Sequence, residues 1–353
     1  MLLAGSHAGA TAYSLVQEIK RRKLPWKIFW VGKKWATEKK KSYTLEYNVL
    51  PRLGVTFYPV ESGRIQTKLT RHTLTAILKI PLGLLASGYY VAKIRPGLIL
   101  TFGGAAGAEV SFWGWVFGIP IVVHEQTVVA GRANLFASKF AKLVALSRAS
   151  SRPFFRGENT ILTGNPINPA IANKTGKNQA KEAKTIFITG GSRGSEWINN
   201  AAMPILPGLL KKYNVILQAG EGNTAKFRIP DSKLQLYGQI EPKIWPKILS
   251  SADIVVTRAG ANIVSELMAL KKPCILIPIP WTYMDEQTKN AELARNFGIA
   301  RILPQADLAP QRLKLEIENL VRDYSEIIRK VRNKVSPDLD ASQKVVNILE
   351  KYI

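Results

Sequence analysis

From Asp253 to Pro278 the chain reads as strand, glycine turn, helix and strand, an order that constrains the fold more than any other stretch. Asp253-Ile-Val-Val-Thr257 is a β-branched apolar run, the pattern of a strand buried on both faces of a parallel sheet. Arg258-Ala-Gly260-Ala-Asn262 follows, with small residues that allow close backbone approach. A helix is expected over 263–270, with Ile263, Val264, Leu267 and Leu270 along one side. Cys274 to Ile279 then reads as the second strand. The same succession runs from Leu98 to His124: strand, Gly103-Gly-Ala-Ala-Gly107, helix, Gly118-Ile-Pro120, strand. Two copies of one design predict an α/β chain of two domains, each a doubly wound parallel sheet with ligands at strand C-termini.

Length agrees, since 353 residues suit two domains of about 150 to 200 residues each. Further strands are expected at 27–31, 185–189 and 214–218, and helices at 12–22 and 74–91, the latter kinked at Pro81. The boundary is placed just after Gly164-Asn-Pro-Ile-Asn-Pro169, giving domains 1–167 and 168–342. The polar run 172–184 reads as a linker, and 343–353 as a helix packing back on the first domain.

Cys274 is the sole cysteine and lies in an apolar run, so no disulfide framework is possible and a reducing cytoplasm fits. Met1-Leu-Leu-Ala4 lacks the basic start and extended apolar core of a secretory signal. The longest apolar stretch, Ile80 to Ala92, is shorter than the ~20 residues of a membrane-spanning helix. Net charge is +25, and residues 1–167 hold 23 Lys/Arg against 7 Asp/Glu while 168–353 hold 27 against 18. The first half is therefore the more basic one. Such a field draws nucleic acid or an anionic leaflet, but no nucleic-acid reading motif accompanies it and a nucleic-acid partner is not expected.

Four glycine loops follow strands: Gly5-Ser-His7-Ala-Gly9, Gly103-Gly104-Ala-Ala-Gly107, Gly190-Gly-Ser192-Arg193-Gly194 and Arg258-Ala-Gly260-Ala. None continues into the Gly-Lys-Ser/Thr of a P-loop, and none is a full Gly-x-Gly-x-x-Gly fingerprint with an acidic residue at the next strand end. Sugar and diphosphate suit them better. Helix-start amides would meet phosphate, and Glu266 has two readings: a carboxylate for a ribose diol, or a charge answering the helix dipole. His124-Glu125-Gln126-Thr127 ends a strand, so His124 and Glu125 are candidates for deprotonating a hydroxyl, or else His124 orients a loop. His7 sits in a glycine loop and is a third catalytic candidate, whereas His72 among Lys68, Arg71 and Lys79 reads as a surface residue. No metal-ligand spacing is found; Asp338-Leu-Asp340 lies in a polar stretch, and no metal or cofactor is expected. Departing diphosphate charge would be offset by helix N-termini and by Ser192, Arg193 or Arg258. Lys68 to Tyr90 mixes basic residues with leucines, with Trp113 and Trp115 as possible neighbours, and reads as a lipid-contacting surface or an ordinary half-buried helix.

Phe102-Gly-Gly104, Gly118-Ile-Pro-Ile-Val-Val-His-Glu-Gln126, Gly164-Asn-Pro166, Gly190-Gly-Ser-Arg-Gly194 with Asn199, Arg258-Ala-Gly-Ala261 with Ser265-Glu266, and Asp285-Glu-Gln287 with Asn290-Ala291 together resemble the MurG family. These are UDP-N-acetylglucosamine:N-acetylmuramyl-(pentapeptide) pyrophosphoryl-undecaprenol N-acetylglucosaminyltransferases. The resemblance covers nearly the whole chain. It implies a GT-B fold, two Rossmann-like domains facing a cleft, and an inverting transfer of GlcNAc from UDP-GlcNAc to the MurNAc 4-hydroxyl of lipid I, giving lipid II for peptidoglycan. It implies a donor site in the second domain: Gly191, Ser192, Arg193 and Gly194, with Arg258, Gly260 and the amides of Ala261, Asn262 and Ile263, near the diphosphate. Val264 and Ser265 would adjoin it, Glu266 would hold the ribose, Ile240 the uracil and Gln287 the sugar. The first domain would hold undecaprenyl-linked lipid I through its own glycine loops, with His7, Ala8, Gly9, Gly103 and Gly104, and rest peripherally on the cytoplasmic face of the anionic cell membrane; Gln126, Thr127, Asn165 and Asn168 would be substrate-binding too, Thr127 and Asn168 at the positions of one diphosphate and one sugar contact.

The chain departs from that family at several points. The usual first loop, Gly-Gly-Thr-Gly-Gly-His, is here Gly5-Ser-His-Ala-Gly-Ala10, which puts Ala10 where the histidine stands. Thr127 replaces an Asn and Asn168 an Arg. With Met1 to Ala4 alone before the loop, the first strand is expected to be nearly missing, through a late start or a trimmed strand. Two other functions therefore stand beside the transferase: a catalytically weakened relative that binds UDP-GlcNAc or lipid I, and a transferase for another lipid acceptor.

Overall fold

The apolar runs form the centres of two all-parallel sheets. The computed structural model describes residues 1–6, 8–36, 43–63, 73–173, 184–191, 194–227 and 229–353, over 73–78 by the backbone alone. His7, His72, Lys68, Arg71, Ser192, Arg193 and most of the polar run 172–184 lie outside the described residues. The chain divides into one unit of Met1–Pro169 with Pro337–Ile353, and another of Ala170–Ser336.

In the first unit, β1 (Leu2–Gly5), β2 (Phe29–Gly32), β3 (Thr56–Pro59), β4 (Ile99–Thr101), β5 (Ile121–Glu125), β6 (Leu143–Leu146) and β7 (Thr160–Leu162) are ordered β3-β2-β1-β4-β5-β6-β7. The second unit has β8 (Thr185–Thr189), β9 (Asn214–Gln218), β10 (Leu234–Tyr237), β11 (Ile254–Thr257), β12 (Cys274–Leu276) and β13 (Ala300–Ile302), ordered β10-β9-β8-β11-β12-β13. Each sheet winds outward from its first strand in one direction and then reverses. The reversals, β1 to β4 and β8 to β11, are topological switch points, where open α/β sheets bind ligands. All four glycine loops follow these four strands. The echo seen in the sequence occupies matching places too: β4–helix Gly104–Val116–β5 and β11–helix Ala261–Leu270–β12 are both right after the switch.

The first strand corrects one expectation. Leu2, Leu3 and Ala4 are fully buried and form β1, paired in register with β2 and β4. Hydrogen bonding on both sides lets so short a run serve as a central strand. The strands with no forecast, β3, β6, β7, β10 and β13, are three or four residues long, too short for a sustained pattern, and β3 and β7 are partly exposed edges.

The chain's return to the first unit begins at Pro337, earlier than the expected 343. Val345, Val346 and Leu349 of the helix Ala341–Leu349 join the core beside Leu15, Val16 and Ile19 of the helix Gly9–Arg21. Asp338, read from the sequence as part of a polar stretch, is fully buried. Its carboxylate accepts both Arg148 terminal nitrogens, at 2.6 and 2.8 Å, and the Asn165 amide at 2.7 Å. Gly164 makes room for this return: its φ is +82°, and an added Cβ would lie 2.3 Å from the Pro337 carbonyl oxygen.

Candidate functional site

At the switch point of the second unit, β8 ends in Thr189, whose hydroxyl donates to Gln218 Oε1 at 2.8 Å and accepts from the Gly191 amide at 3.0 Å. Gly194, with φ of +72°, packs so tightly on Ala219 that a Cβ would stand 2.6 Å from its carbonyl oxygen. Ser195 then caps the helix Glu196–Ala202, accepting from the Ile198 amide at 3.4 Å. The same hydroxyl accepts from Arg258 Nη2 at 2.8 Å, while Arg258 Nη1 donates to the Ile277 carbonyl at 3.2 Å. Arg258 thus joins the loop after β8 to the loop after β11 and places one positive charge between them.

Gly260 is the N-cap of the helix Ala261–Leu270 and offers no side-chain bond to it. The helix begins at Ala261, so the amides of Ala261, Asn262 and Ile263 make up its first turn, directed along the axis toward the switch point. Val264 and Ser265 follow in the same helix: the Val264 amide bonds Gly260, its side chain is buried, and the buried Ser265 hydroxyl donates to the Ala261 carbonyl at 2.9 Å.

Glu266 is the sixth helical residue, on the second turn, which removes the dipole reading of a first-turn acid. Its side chain is buried, and Oε2 accepts from the Trp245 indole Nε1 at 2.7 Å. Burial pushes its carboxyl up to about 7, opposed by the Trp245 hydrogen bond. A carboxylate enclosed this way gains most from a partner that brings hydroxyl donors. Ile240, also buried, precedes Trp245 by one short turn of chain. Gln287 closes a loop after β12: its Oε1 accepts from the Ile279 amide at 3.1 Å, and its own amide donates to Thr282 Oγ1 at 3.2 Å. Met284 and Asp285 in that loop hold left-handed φ of 52° and 55°, strain on the order of 1 kcal/mol or more each, tolerated where surroundings fix the backbone. Asn290 Nδ2 supports the other side, donating to Ala259 at 3.1 Å. Sequence reasoning missed Thr189, Ser195 and Trp245; a Ser directly before a helix with an acidic first residue was the available signal for Ser195.

In the first unit the switch point places Gly103 and Gly104 beside Ser6 and Asn134. The Ala8 amide is already taken by the buried Glu46 carboxylate at 2.8 Å, and Gly9, also buried, lies against Leu45. The Ala8 amide is thereby engaged within the first unit. His124 and Glu125 are corrected, because neither projects into solvent. His124 is fully buried, its Nε2 lies 3.3 Å from the Gly164 carbonyl, and burial pushes its pKa down to about 4, so the ring is neutral near pH 7 with the proton on Nε2. Glu125 accepts from the Thr127 amide at 3.1 Å, the Gly131 amide at 2.9 Å and Asn134 Nδ2 at 2.9 Å, while the Thr127 hydroxyl donates to the Val129 carbonyl at 2.7 Å. Those three donors make Glu125 the organiser of the loop after β5. Gln126 accepts from Thr11 at 2.9 Å, Thr127 is spent inside the loop, Asn165 is buried on Asp338, and Asn168 is half-exposed. Cys274 is a free, buried thiol in β12. Among the described residues no three His, Cys, Asp or Glu side chains are grouped to hold a metal ion.

Comparison with known proteins gives concordant matches. Residues 22–146 match the glycosyltransferase family 28 N-terminal domain and residues 185–345 the glycosyltransferase family 28 C-terminal domain. The UDP-N-acetylglucosamine--N-acetylmuramyl-(pentapeptide) pyrophosphoryl-undecaprenol N-acetylglucosamine transferase of Clostridium kluyveri is 28% identical over 100% of this chain and 99% of its own. The enzyme of the same name from Lactiplantibacillus plantarum is 30% identical over 88% of each chain. Among solved structures, MurG of Acinetobacter baumannii superposes with a TM-score of 0.70 at 24% identity, covering 99% of both chains. UDP-GlcNAc 2-epimerase from Neisseria meningitidis, bound to UDP-GlcNAc, reaches 0.68 at 14% identity over 99% of both, a likeness of fold. The chain is a GT-B protein of glycosyltransferase family 28, and it belongs within that family to the UDP-N-acetylglucosamine–N-acetylmuramyl-(pentapeptide) pyrophosphoryl-undecaprenol N-acetylglucosamine transferases.

Proposed function

We propose that the chain transfers GlcNAc from UDP-GlcNAc to the MurNAc 4-hydroxyl of lipid I, with the second unit holding the donor and the first the acceptor. The observation that carries this is the switch point between β8 and β11, where two glycine loops, the first turn of the helix Ala261–Leu270 and the Arg258 guanidinium converge, with Glu266 one turn further along. Backbone amides and Arg258 suit a diphosphate, and a carboxylate without a cationic partner among the described residues suits a ribose diol. The acceptor hydroxyl oxygen forms the new bond to C1 of GlcNAc as the C1–phosphate bond breaks, the hydroxyl proton is lost, and UDP leaves with the electron pair. Attack opposite the leaving group inverts the α-linked donor to a β-linked product.

Assay of the purified protein with UDP-GlcNAc and a short-chain lipid I analogue should yield the disaccharide lipid, and acceptors lacking the MurNAc 4-hydroxyl should yield none. Turnover of a different lipid-linked sugar in preference would overturn the acceptor assignment. A binder without turnover is the second reading, favoured by Ala10 at the family's histidine position and by the enclosure of His124 and Glu125.

The first unit also carries the surface that suits a peripheral position on anionic lipid. Leu82, Leu85 and Tyr89 are 61–66% exposed and spaced along one stripe of the helix Thr73–Ile94. Trp115, Val116, Phe117 and Phe136 are exposed as well, with Trp115 and Phe136 both packed on Phe140. Trp113 is a neighbour of that helix, as expected, its indole turned inward to donate to the Leu84 carbonyl at 2.7 Å. Apolar side chains exposed together beside Lys79, Lys93 and Lys139 fit the headgroup boundary of a membrane. Among the described residues no helix is long and apolar enough to cross a bilayer. Replacing Leu82 and Leu85 by Glu should lower co-sedimentation with phosphatidylglycerol vesicles by about tenfold or more, since each buried leucine contributes about 1.5–3 kcal/mol. Unchanged sedimentation would remove this helix from the contact.

A further inference from the structure

Trp245 opens the helix Trp245–Ser251, with Pro246 next to it, and its ring meets the fully buried Phe187 of β8 edge-on at 5.6 Å. The indole is thereby held from one side by the sheet while its N–H points at Glu266 Oε2, 2.7 Å away. We propose that Trp245 is a positioning residue for the donor: its N–H fixes the plane of the Glu266 carboxylate, leaving Oε1 and the second lone pair of Oε2 to accept the ribose diol. The inference rests on the donor-site reading of the second unit.

A carboxylate has room for about four donors, so one indole and two ribose hydroxyls do not compete for it. The indole also favours the ionised form that the diol requires, in a place where burial disfavours it. The charged residues on the surrounding elements are Glu241, Lys243 and Lys247 around the Trp245 helix, Arg258 before the Glu266 helix, Lys271 and Lys272 at its far end, and Asp285, Glu286 and Lys289 beyond β12. Burial, and against it the indole hydrogen bond, set the direction of the Glu266 shift. Lys272 Nζ donates to the Ser250 carbonyl at 2.9 Å. A tryptophan that merely satisfied its own buried N–H would leave the pH response of donor binding alone.

The test is calorimetric titration of the full chain with UDP-GlcNAc, whose esterified diphosphate does not titrate near neutrality, between about pH 6 and pH 8.5. The unmodified protein should lose affinity as pH falls through the Glu266 midpoint. Trp245→Phe, which keeps a ring and removes the donor, should move that midpoint upward, binding about tenfold more weakly near pH 7 and recovering most of the loss at the alkaline end. Glu266→Gln should flatten the profile. A Trp245→Phe loss equal at every pH, or no change, would overturn the positioning role while leaving the donor site standing. No UDP-GlcNAc binding by the unmodified protein would overturn the donor site and this inference together. Should the variant fail to fold, the Trp245 indole N–H resonance of the unmodified protein must titrate with the midpoint of donor binding; an indifferent resonance contradicts the proposal.

Discussion

Glu266→Gln should separate stability from function in the second unit: a more stable unliganded domain that binds UDP-GlcNAc about 10- to 100-fold more weakly. The binding loss follows from giving up hydrogen bonds to a charged acceptor, each contributing about 1.5–3 kcal/mol. The stability gain follows from the carboxyl's displacement from 4.5 to about 7 by burial. With its folded value raised, the native unit holds the proton more tightly than the unfolded chain. Stability is therefore full below about pH 4.5, falls as pH rises toward 7, and stays lower above it, by something on the order of 3 kcal/mol. Gln keeps an oxygen to accept from Trp245 and has no charge to bury. Thermal unfolding at pH 8 and at pH 5 checks this directly: the variant's advantage should be large at pH 8 and small at pH 5. An advantage equal at both would mean that Glu266 is not the group responsible.

Asp338→Ala should destabilise the first unit by about 3–5 kcal/mol, the cost of leaving a buried guanidinium without its counter-charge. Arg148 and Asp338 have side-chain exposures of 8% and 0%, so water cannot take over from the lost carboxylate. The Asn165 amide loses its acceptor in the same change. Adding Arg148→Met should restore part of the loss by removing the orphaned charge. UDP-GlcNAc affinity should stay within about twofold throughout, because the pair belongs to the other unit. A single variant as stable as the unmodified protein would show that the return of the chain at Pro337 is not anchored by this pair.

These two residues also mark where sequence reading succeeds and stops. The βαβ units around Ile254–Thr257 and Ile99–Thr101 were legible because a strand buried on both faces must be apolar throughout and the glycine turn after it is local. The edge strands Thr56–Pro59 and Thr160–Leu162 are only four and three residues long and face solvent in part, too short for a sustained apolar or alternating run to set them apart from loops. In the site, the glycine loops and Glu266 could be found from neighbours a few positions away. Trp245 could not: its role depends on a partner 21 residues on, brought close by the sheet between them. Asp338 is the extreme case, since its partner lies 190 positions earlier and the surrounding sequence is polar. His124 and Glu125 misled for the opposite reason. A strand end usually opens to solvent, but here the loop after β5 folds over, and its amides and Asn134 close around the carboxylate.

The most direct measurement is a single turnover with the protein in excess over UDP-GlcNAc labelled in the sugar, and a short-chain lipid I analogue as acceptor. The account predicts that the label moves to the lipid in a β-linked disaccharide, one UDP being released for each, and that Glu266→Gln slows the transfer through weaker donor binding. Label that stays on UDP-GlcNAc while the donor still raises the unfolding temperature, or that appears as free GlcNAc alone, would contradict it.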